Sequence, residues 1–256
     1  MNGESMTPVM QLTSAFQDVY LYMTEVSDRE VSAVPLADAA EVARFATPKR
    51  RQEYLSVRWL LGQCLIRHGI GDLTSLEIQR TEKRAPFLAY IQGVWRRVPL
   101  PHISLAHSAG HAFVALSFTS NAVGIDAEPV ERELSGNAFD MMAKGDELNW
   151  LRMHPNQAMR LWTGKEAVQK ALQEGMHLNP RDIEIPIEYS DDNISIVKSN
   201  IQLKYWIENA YHLSLATTPS PPAKESAEDL LLEETRMAML KNPQWGVGCQ
   251  TQRNNA

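Results

Sequence analysis

Residues 102–118 read HISLAHSAGHAFVALSF and contain two short apolar runs separated by the small pair Ala109-Gly110. Runs of this length on either side of a turn signal predict two β-strands joined as a hairpin. We predict a third strand over 123–128, and Pro129 stops it because proline lacks the N–H that a central strand donates. This part of the chain therefore predicts a small sheet.

On the N-terminal side of the hairpin, residues 48–68 give a strong helix signal. Its apolar stripe consists of Tyr54, Val57, Leu61, Cys64 and Leu65. Thr47 is a suitable N-cap, and Gly69 follows the end of the pattern. Arg51 and Arg58 are seven residues apart, so a helix places them nearly in line beside its apolar stripe. Basic side chains therefore border the buried face of this helix.

On the C-terminal side, the pattern adds one helix and further strands. We predict the helix at about 160–174, before Gly175, and strands at 182–188, 194–205 and 209–216. Because strands and helices do not alternate steadily, the order indicates an α+β fold with mostly antiparallel sheet. Each half holds one long helix and a small sheet, so we expect two similar α+β halves, a pseudo-dimer, although the halves share no visible sequence similarity.

The same pattern divides the chain into three segments. Residues 1–121 form the N-terminal α+β half, and 122–218 form the C-terminal half. For 219–256 we expect a linker, a short helix and a disordered tail. The composition TTPSPPAKES indicates that the linker covers 217–226, and the helix is predicted at about 227–240.

Composition limits the class of protein. The chain has 256 residues, of which 44% are hydrophobic and 22% charged, and its formal net charge is −6. These values are typical of a globular protein and argue against a dedicated nucleic-acid binder. We find no run of about 18 apolar residues that would predict a membrane span, and no signal-peptide pattern. Cys64 and Cys249 form no disulfide framework, so we expect a reducing, cytoplasmic compartment.

The first candidate site is GIDAE at 124–128, inside the predicted third strand. Side chains two residues apart in a strand share a face, so Asp126 and Glu128 project side by side, while Ile125 and Ala127 face the core. Adjacent carboxylates repel unless a cation lies between them, and hard oxygen ligands suit magnesium. The alternative is a solvated strand face, because acidic pairs are common on surfaces.

The second candidate site is LWTGKEAVQK at 161–170, inside the predicted helix. Glu166 and Lys170 are four residues apart and therefore share a helix face. Two ordinary interpretations remain open. The pair could be a surface ion pair worth about 0.3–0.5 kcal/mol, or Thr163 and Glu166 could form a capping box at the start of the helix.

Taken together, GIDAE and WTGKEAVQK resemble the paired signature of the 4′-phosphopantetheinyl transferase superfamily, and their separation of about 37 residues is similar as well. Two upstream blocks also resemble it: the helix that carries Arg51 and the run RWLLG from Arg58, and the strand HISLAHS at 102–108. The resemblance covers roughly 40–216. The length is similar to that of the single-chain, pseudo-dimeric type, the surfactin-synthetase-activating enzymes.

The resemblance implies roles for the acidic residues and for Lys170. Asp126, Glu128 and Glu166 would bind Mg²⁺ together with the pyrophosphate of coenzyme A. Glu166, or a metal-bound water beside it, would also be the base that takes the proton of the carrier serine. Lys170 would contact coenzyme A and balance the charge on the leaving 3′,5′-ADP.

The resemblance also implies a site for the 3′-phosphate of coenzyme A. Arg51 and Arg58 would bind it, since guanidinium groups pair with phosphate oxygens, and Arg50 is a substitute for Arg51. His107 would reach the same phosphate region; the alternative is a structural strand histidine. Lys165 would support either the phosphates or the helix.

The implied function is transfer of 4′-phosphopantetheine to a serine of an acyl or peptidyl carrier protein, in fatty acid biosynthesis or secondary metabolism. We expect a monomer without a nucleic-acid or membrane partner. Three alternatives stay open: an inactive or regulatory relative that binds coenzyme A, another magnesium-dependent enzyme that cleaves a pyrophosphate, and an interaction protein whose motifs are surface charge.

Overall fold

The structure is a computed structural model that describes residues 8–94, 97–174, 177–186, 193–196 and 200–219. Its strands are β1 (Met10–Leu12), β2 (Val19–Glu25), β3 (Leu76–Arg80), β4 (Pro86–Tyr90), β5 (His102–Ser108), β6 (His111–Ser117), β7 (Asn121–Pro129), β8 (Asn193–Ile196), β9 (Ile201–Glu208) and β10 (Tyr211–Pro219). Its α-helices are α1 (Ala39–Val42), α2 (Pro48–Arg67), α3 (Gly136–Met142), α4 (Gly145–Met153) and α5 (Ala158–Ala171). Short 3₁₀ helices lie at Val31–Ala33, Leu73–Ser75, Pro155–Gln157 and Pro180–Asp182.

The first large sheet is antiparallel and has the strand order β1-β2-β6-β5. The predicted hairpin is confirmed, with Ser108 of β5 paired to His111 of β6. Ala109 (φ 43°) and Gly110 (φ 79°) form the turn between them. Positive φ at both central residues gives a turn whose twist suits a two-residue hairpin.

Helix α2 covers one face of this sheet. The predicted helix at 48–68 is confirmed as Pro48–Arg67, and the hydroxyl of Thr47 caps it by accepting a hydrogen bond from the backbone N–H of Arg50 at 3.3 Å. Buried leucines on α2 pack against β6, whose alternate residues Val114 and Leu116 point toward the helix. Apolar burial of this kind is the main stabilising term for the first layer pair.

The second large sheet is antiparallel with the order β7-β10-β9-β8, and α5 covers one face of it. Two sequence predictions are confirmed here: the strand at 123–128 is part of β7, and the helix at 160–174 corresponds to α5, which ends at Ala171. The strand predicted at 209–216 begins later, at Tyr211, because Asn209 and Ala210 have positive φ and form the turn before β10. The predicted linker at 217–226 begins too early, because Thr217 and Thr218 are buried and pair with β7.

Two strand predictions were wrong in detail. The strand at 182–188 is not present at 182–186, because Pro180–Asp182 form a 3₁₀ helix and 183–186 belong to no strand; 187–188 lie outside the described residues. The single strand at 194–205 is instead two strands, β8 and β9, paired antiparallel. Asn200 has a φ of 51°, a conformation that asparagine tolerates in turns, so the chain reverses there.

The two sheets pack face to face through their remaining faces. Leu21 and Phe113 from the first sheet meet Ile125, Leu213 and Leu215 from the second, and all five side chains are fully buried. The hydroxyl of Ser104 in β5 also accepts a hydrogen bond from the N–H of Ile125 in β7, at 3.0 Å. The result is four layers in the order α2, first sheet, second sheet, α5, which confirms the α+β class.

The two large sheets have the same connectivity along the chain. In each, a strand leads to a long helix and then to a hairpin whose second strand pairs with the first strand of the set. The orders β2-β6-β5 and β7-β10-β9 are therefore equivalent, with α2 and α5 as the helices between them.

The chain divides into two units, Met1–Ser220 and Pro221–Ala256, and every helix and strand given above lies in the first. The division between two halves at 121 and 122 stays a prediction. Most of the linker and the helix predicted at 227–240 lie outside the described residues. Within the described residues, no helix combines the length and apolarity that crossing a membrane requires.

We predict that Gly124→Ala destabilises the protein strongly. A Cβ atom on Gly124 would lie 2.0 Å from the backbone oxygen of Ala167 and 2.4 Å from the backbone nitrogen of Ala171, so α5 would have to move. Overpacking against backbone that cannot yield should cost about 3 kcal/mol or more in the free energy of unfolding, measured by urea titration.

Gly136→Ala is the matched control, because nothing lies within 4 Å of the Cβ position at Gly136. Its free energy of unfolding should stay within about 1 kcal/mol of the wild-type value. Equal stability of both variants would show that α5 does not lie directly against β7.

Candidate active site

Strand β7 carries the two carboxylates of the first motif. Ile125 and Ala127 are buried in the core between the sheets, so Asp126 and Glu128 point to the opposite face, toward α5, as the alternation predicted. Asp126 is only 7% exposed. The interpretation of this pair as a solvated strand face is therefore wrong for Asp126.

Helix α5 places Lys170 directly over Asp126. The Lys170 ammonium group donates to Asp126 Oδ1 at 2.7 Å and to the backbone oxygen of Ile125 at 3.0 Å, and it lies 4.0 Å from Glu166 Oε2. This closeness depends on Gly124, because any side chain there would separate the helix from the strand. The two motifs therefore meet at one place.

The capping-box interpretation of Thr163 and Glu166 is also wrong. Helix α5 begins at Ala158, so Thr163 lies in the second turn and is fully buried. Its hydroxyl donates to the backbone oxygen of Met159 at 2.9 Å and contacts the hydroxyl of Ser214 in β10 at 2.7 Å. Thr163 therefore links α5 to the sheet. Glu166 is not a cap and belongs, with Asp126 and Glu128, to a carboxylate cluster around Lys170.

The pKa values of Asp126, Glu166 and Lys170 are all shifted by one another's charges. Burial raises the pKa of Asp126, Lys170 partly offsets this, and Glu128 raises it further. Burial also raises the pKa of Glu166, with Lys170 lowering it and both Asp126 and Glu128 raising it. Burial alone would lower the pKa of Lys170, but Asp126 and Glu166 outweigh that effect, so its pKa is raised. The cluster thus holds a surplus of negative charge.

Glu128 is held from two sides. The hydroxyl of Ser108 in β5 donates to Glu128 Oε2 at 2.7 Å, and Arg132 Nη1 donates to Glu128 Oε1 at 2.5 Å. Ser108 belongs to the first sheet and Glu128 to the second, so this hydrogen bond joins the sheets at the cluster. Sequence reasoning placed Ser108 in a motif but gave it no role.

His107 lies on the α2 side of β5, opposite Ser108. Its Nε2 is 3.4 Å from Arg50 Nη1, and its Nδ1 is 3.7 Å from Glu53 Oε2. Burial lowers the pKa of His107, Glu53 raises it, and Arg50 and Lys170 lower it. The effect of Lys170 shows that His107 lies within electrostatic range of the carboxylate cluster.

The predicted arginines lie in different surroundings. Arg58 is 7% exposed; its guanidinium carbon lies 3.3 Å from the ring centroid of Tyr54, and its Nη2 is 3.8 Å from Glu41 Oε2. Burial lowers the pKa of Arg58, and Tyr54 and Glu41 raise it. The buried Nε of Arg51 has no hydrogen-bond partner in the described part of the chain. Of the basic residues considered from sequence, Arg50 is the one in contact with His107.

Lys165 is buried on another side of α5 and is 1% exposed. Its ammonium group donates to the backbone oxygens of Met142 (2.6 Å) and Pro180 (3.1 Å) and to Glu147 Oε2 (2.5 Å). These contacts use all three of its N–H donors. Of the two predicted roles, they favour support of the helix.

No group of three or more His, Cys, Asp or Glu side chains within the described ranges is arranged to hold a metal ion. Lys170 contacts one oxygen of Asp126, and Arg132 contacts one oxygen of Glu128. However, Asp126 Oδ2 is buried without a hydrogen-bond partner in the described residues. An unpartnered buried carboxylate oxygen beside two further carboxylates is the donor chemistry that suits a hard cation.

Sequence reasoning missed Glu53, which is 6% exposed and close to both Arg50 and His107. The available signal was its spacing of three residues from Arg50, which puts the two on neighbouring positions of a helix. That signal is weak, because such pairs are common on exposed helices.

Residues 122–216, from the start of β7 into β10, match the family model of the 4′-phosphopantetheinyl transferase superfamily. The matched segment spans somewhat over a third of the 256 residues and includes Asp126, Glu128, Glu166 and Lys170. No curated protein matches the chain.

We predict that Glu166→Gln raises the thermal unfolding midpoint in EDTA, by the equivalent of up to about 1 kcal/mol at pH 8. The raised pKa of Glu166 means that the fold disfavours its charge, with burial as the first cause and negative neighbours adding to it. In the wild-type protein, ionised Glu166 lowers the free energy of unfolding. This loss develops as the pH rises above the pKa of Glu166 in the unfolded chain, near 4.5, and through its higher pKa in the folded protein. The difference between variant and wild type should therefore shrink as the pH falls.

Glu77→Gln serves as the control, since Glu77 is exposed on β3. Its midpoint should stay within the equivalent of about 0.5 kcal/mol. A lower midpoint for Glu166→Gln would show instead that Lys170 stabilises the Glu166 carboxylate more than burial and its neighbours destabilise it.

Proposed function

We propose that this protein transfers the 4′-phosphopantetheine group of coenzyme A to a serine of an acyl or peptidyl carrier protein and releases 3′,5′-ADP. One observation carries the proposal: Asp126, Glu128, Glu166 and Lys170 come together inside the segment that matches the superfamily model. A surplus of carboxylates around one lysine suits a reaction on a pyrophosphate, because both a cation and a base are needed there.

Asp126, Glu128 and Glu166 are the residues that would hold Mg²⁺, and the unpartnered oxygen of Asp126 supports this assignment. When bound, Mg²⁺ neutralises the pyrophosphate charge and orients it. Lys170 and Arg132 already contact two of these carboxylates, so their positive charges would compete with Mg²⁺ for the same oxygens. The proposal therefore includes rearrangement of these contacts when substrate binds.

Glu166 is suited to act as the general base. It is the most open carboxylate of the three, with a side chain 34% exposed against 10% for Asp126 and 12% for Glu128, so a carrier serine can approach it. The serine oxygen of the carrier attacks the phosphorus that bears the pantetheine and gives its proton to Glu166. The bond from this phosphorus to the bridging oxygen breaks, and the electron pair leaves with 3′,5′-ADP.

Lys170 is suited to balance the charge that develops on the leaving group. Its raised pKa keeps the amine protonated, so that it carries a positive charge throughout the working pH range. Its Nζ lies 2.7 Å from Asp126 and 4.0 Å from Glu166, which holds it at the centre of the cluster. A fixed charge at this position needs little reorganisation during the reaction.

The 3′-phosphate of coenzyme A is proposed to bind on the α2 side. Arg50 and His107 contact each other there, and Arg51 has a buried donor without a partner among the described residues. Arg58 would act from a buried position beside Tyr54. In the proposal Lys165 supports α5 and takes no part in binding the ligand.

The proposed function also includes the type of enzyme, its oligomeric state and its partners. The equivalent strand orders of the two large sheets support a pseudo-duplicated, single-chain type of enzyme. We propose a monomer that acts in the cytoplasm, with coenzyme A and a carrier protein as its partners, in fatty acid biosynthesis or secondary metabolism. Carrier proteins are acidic, so docking would depend on a local basic or apolar surface rather than on the net charge of −6.

An inactive relative that binds coenzyme A without transfer is the second candidate. The observation that favours it is the contact of Asp126 Oδ1 with Lys170 and of Glu128 Oε1 with Arg132, which partly neutralises two carboxylates without a metal. A magnesium-dependent enzyme that hydrolyses a pyrophosphate would use the same carboxylates but would not need the histidine and arginine on the α2 side.

The first test is intact-protein mass spectrometry of an apo acyl carrier protein incubated with this protein, coenzyme A and MgCl₂. We expect the carrier to gain the mass of one phosphopantetheinyl group, with no gain in EDTA. Glu166→Ala should lower the rate by about 100-fold or more, because the serine then loses its base. Glu77→Ala, a change on an exposed strand, should keep the wild-type rate.

If neither fatty-acid nor peptide-synthetase carriers gain mass while coenzyme A binds tightly, the inactive relative is the correct assignment. Cleavage of coenzyme A without any carrier would instead identify a pyrophosphate hydrolase.

Asp126→Ala tests the metal assignment separately. We expect coenzyme A to bind wild-type protein more tightly with MgCl₂ than with EDTA in isothermal titration calorimetry, and we expect this difference to vanish in the variant. The control is again Glu77→Ala. Persistence of the magnesium effect in Asp126→Ala would place the metal elsewhere.

A further inference from the structure

Glu53 is a buried carboxylate on α2 that the proposed reaction does not use. Its side chain is 8% exposed, whereas the basic side chains around it are much more open, at 62% for Arg50 and 80% for Lys49. Burying a carboxylate costs free energy unless a positive charge or hydrogen-bond donor pairs with it, and here the neighbouring basic side chains provide that pairing. The acid lies beneath a rim of basic groups that faces solvent.

Glu53 is hydrogen-bonded to one of these groups and lies close to a second. Arg50 Nη1 donates to Glu53 Oε2 at 3.1 Å, and His107 Nδ1 lies 3.7 Å from the same oxygen. Arg50 Nη1 also lies 3.4 Å from His107 Nε2. Arginine has no acceptor, so Nε2 accepts in this contact when the ring is neutral. When the ring is protonated, both nitrogens are donors, and Nε2 can then face an anion.

The charges at this rim favour an anion. Lys49 and Arg50 carry two positive charges against the one negative charge of Glu53, and His107 adds a third positive charge when it is protonated. His107 is adjacent to Ser108, whose hydroxyl donates to Glu128 Oε2 of the carboxylate cluster at 2.7 Å. The rim therefore lies on the α2 side of the proposed active site, where a second phosphate of a bound nucleotide can be held.

We propose that Glu53 is a positioning residue that holds Arg50 and His107 in the arrangement that binds a phosphate dianion. The proposal deepens the function proposed above and rests on it in one respect, namely that the dianion is the 3′-phosphate of coenzyme A. It also adds Arg50 to the residues that contact the phosphate directly.

Two opposite effects of Glu53 can be separated by experiment. A carboxylate near a phosphate repels it, so removal of the charge alone would tighten binding. A carboxylate that orients Arg50 and His107 instead weakens binding when it is removed, because both side chains regain rotamer freedom. The sign of the change in affinity therefore decides between them.

The experiment compares coenzyme A with 3′-dephospho-coenzyme A by isothermal titration calorimetry in MgCl₂. Wild-type protein should prefer coenzyme A by about tenfold or more, as expected for charge-assisted hydrogen bonds to one phosphate. Glu53→Gln should remove most of this preference and leave the affinity for the dephospho ligand within about twofold. Glu77→Gln is the control and should keep the preference.

A second readout is the pKa of His107 measured by NMR. The groups that act on it are Glu53, Arg50 and Lys49 from α2 and Lys170 from α5, and only Glu53 raises it. Glu53→Gln should therefore lower the pKa of His107. An unchanged pKa would show that the Glu53 carboxylate does not lie beside the His107 ring in solution.

The proposal is overturned if Glu53→Gln keeps the full preference or binds coenzyme A more tightly, or if wild-type protein shows no preference. If Glu53→Gln does not fold, Arg50 decides: Arg50→Gln should lose the preference, whereas Arg152→Gln, an exposed change on α4, should keep it. Retention of the full preference in Arg50→Gln overturns the proposal. A preference without transfer to any carrier would refute the proposed function alone. Transfer without a preference would refute this inference alone.

Discussion

The contact between α5 and β7 is the constraint on which the candidate site depends. At Gly124 the helix backbone lies so close to the strand that a single Cβ atom would overlap Ala167 and Ala171. Because Lys170 is on the adjoining turn of α5, this closeness puts its ammonium group within hydrogen-bonding distance of Asp126. Without this close approach the two motifs would be held apart, and water would solvate each charged group separately.

This packing concentrates charge that the fold does not favour. Asp126 and Glu166 both have a raised pKa, first because of burial and then because of the negative charges beside them, and Lys170 offsets only part of this. Proteins accept such local destabilisation where function requires it. The apolar cores on both sides of the second sheet supply the compensating stability.

The contact between the sheets extends the site beyond the segment that matches the superfamily model. Strand β5 presents Ser108 to Glu128 on one face and His107 to α2 on the other, so two adjacent residues connect the carboxylate cluster with the basic rim. Strand alternation is the physical reason, because neighbouring side chains point to opposite faces. The site therefore draws on both large sheets and both long helices.

The sequence by itself determined the local features: the capped helix that begins after Thr47, the hairpin at Ala109, and the placement of Asp126 and Glu128 on one strand face. These follow from capping, turn conformation and alternation, which depend on neighbours along the chain. Only the tertiary structure showed that Arg50 meets His107, since adjacent helix residues point about 100° apart. The closeness of Glu53 to His107 likewise depends on the packing of α2 on β5, because burial and pairing depend on what the opposite surface supplies.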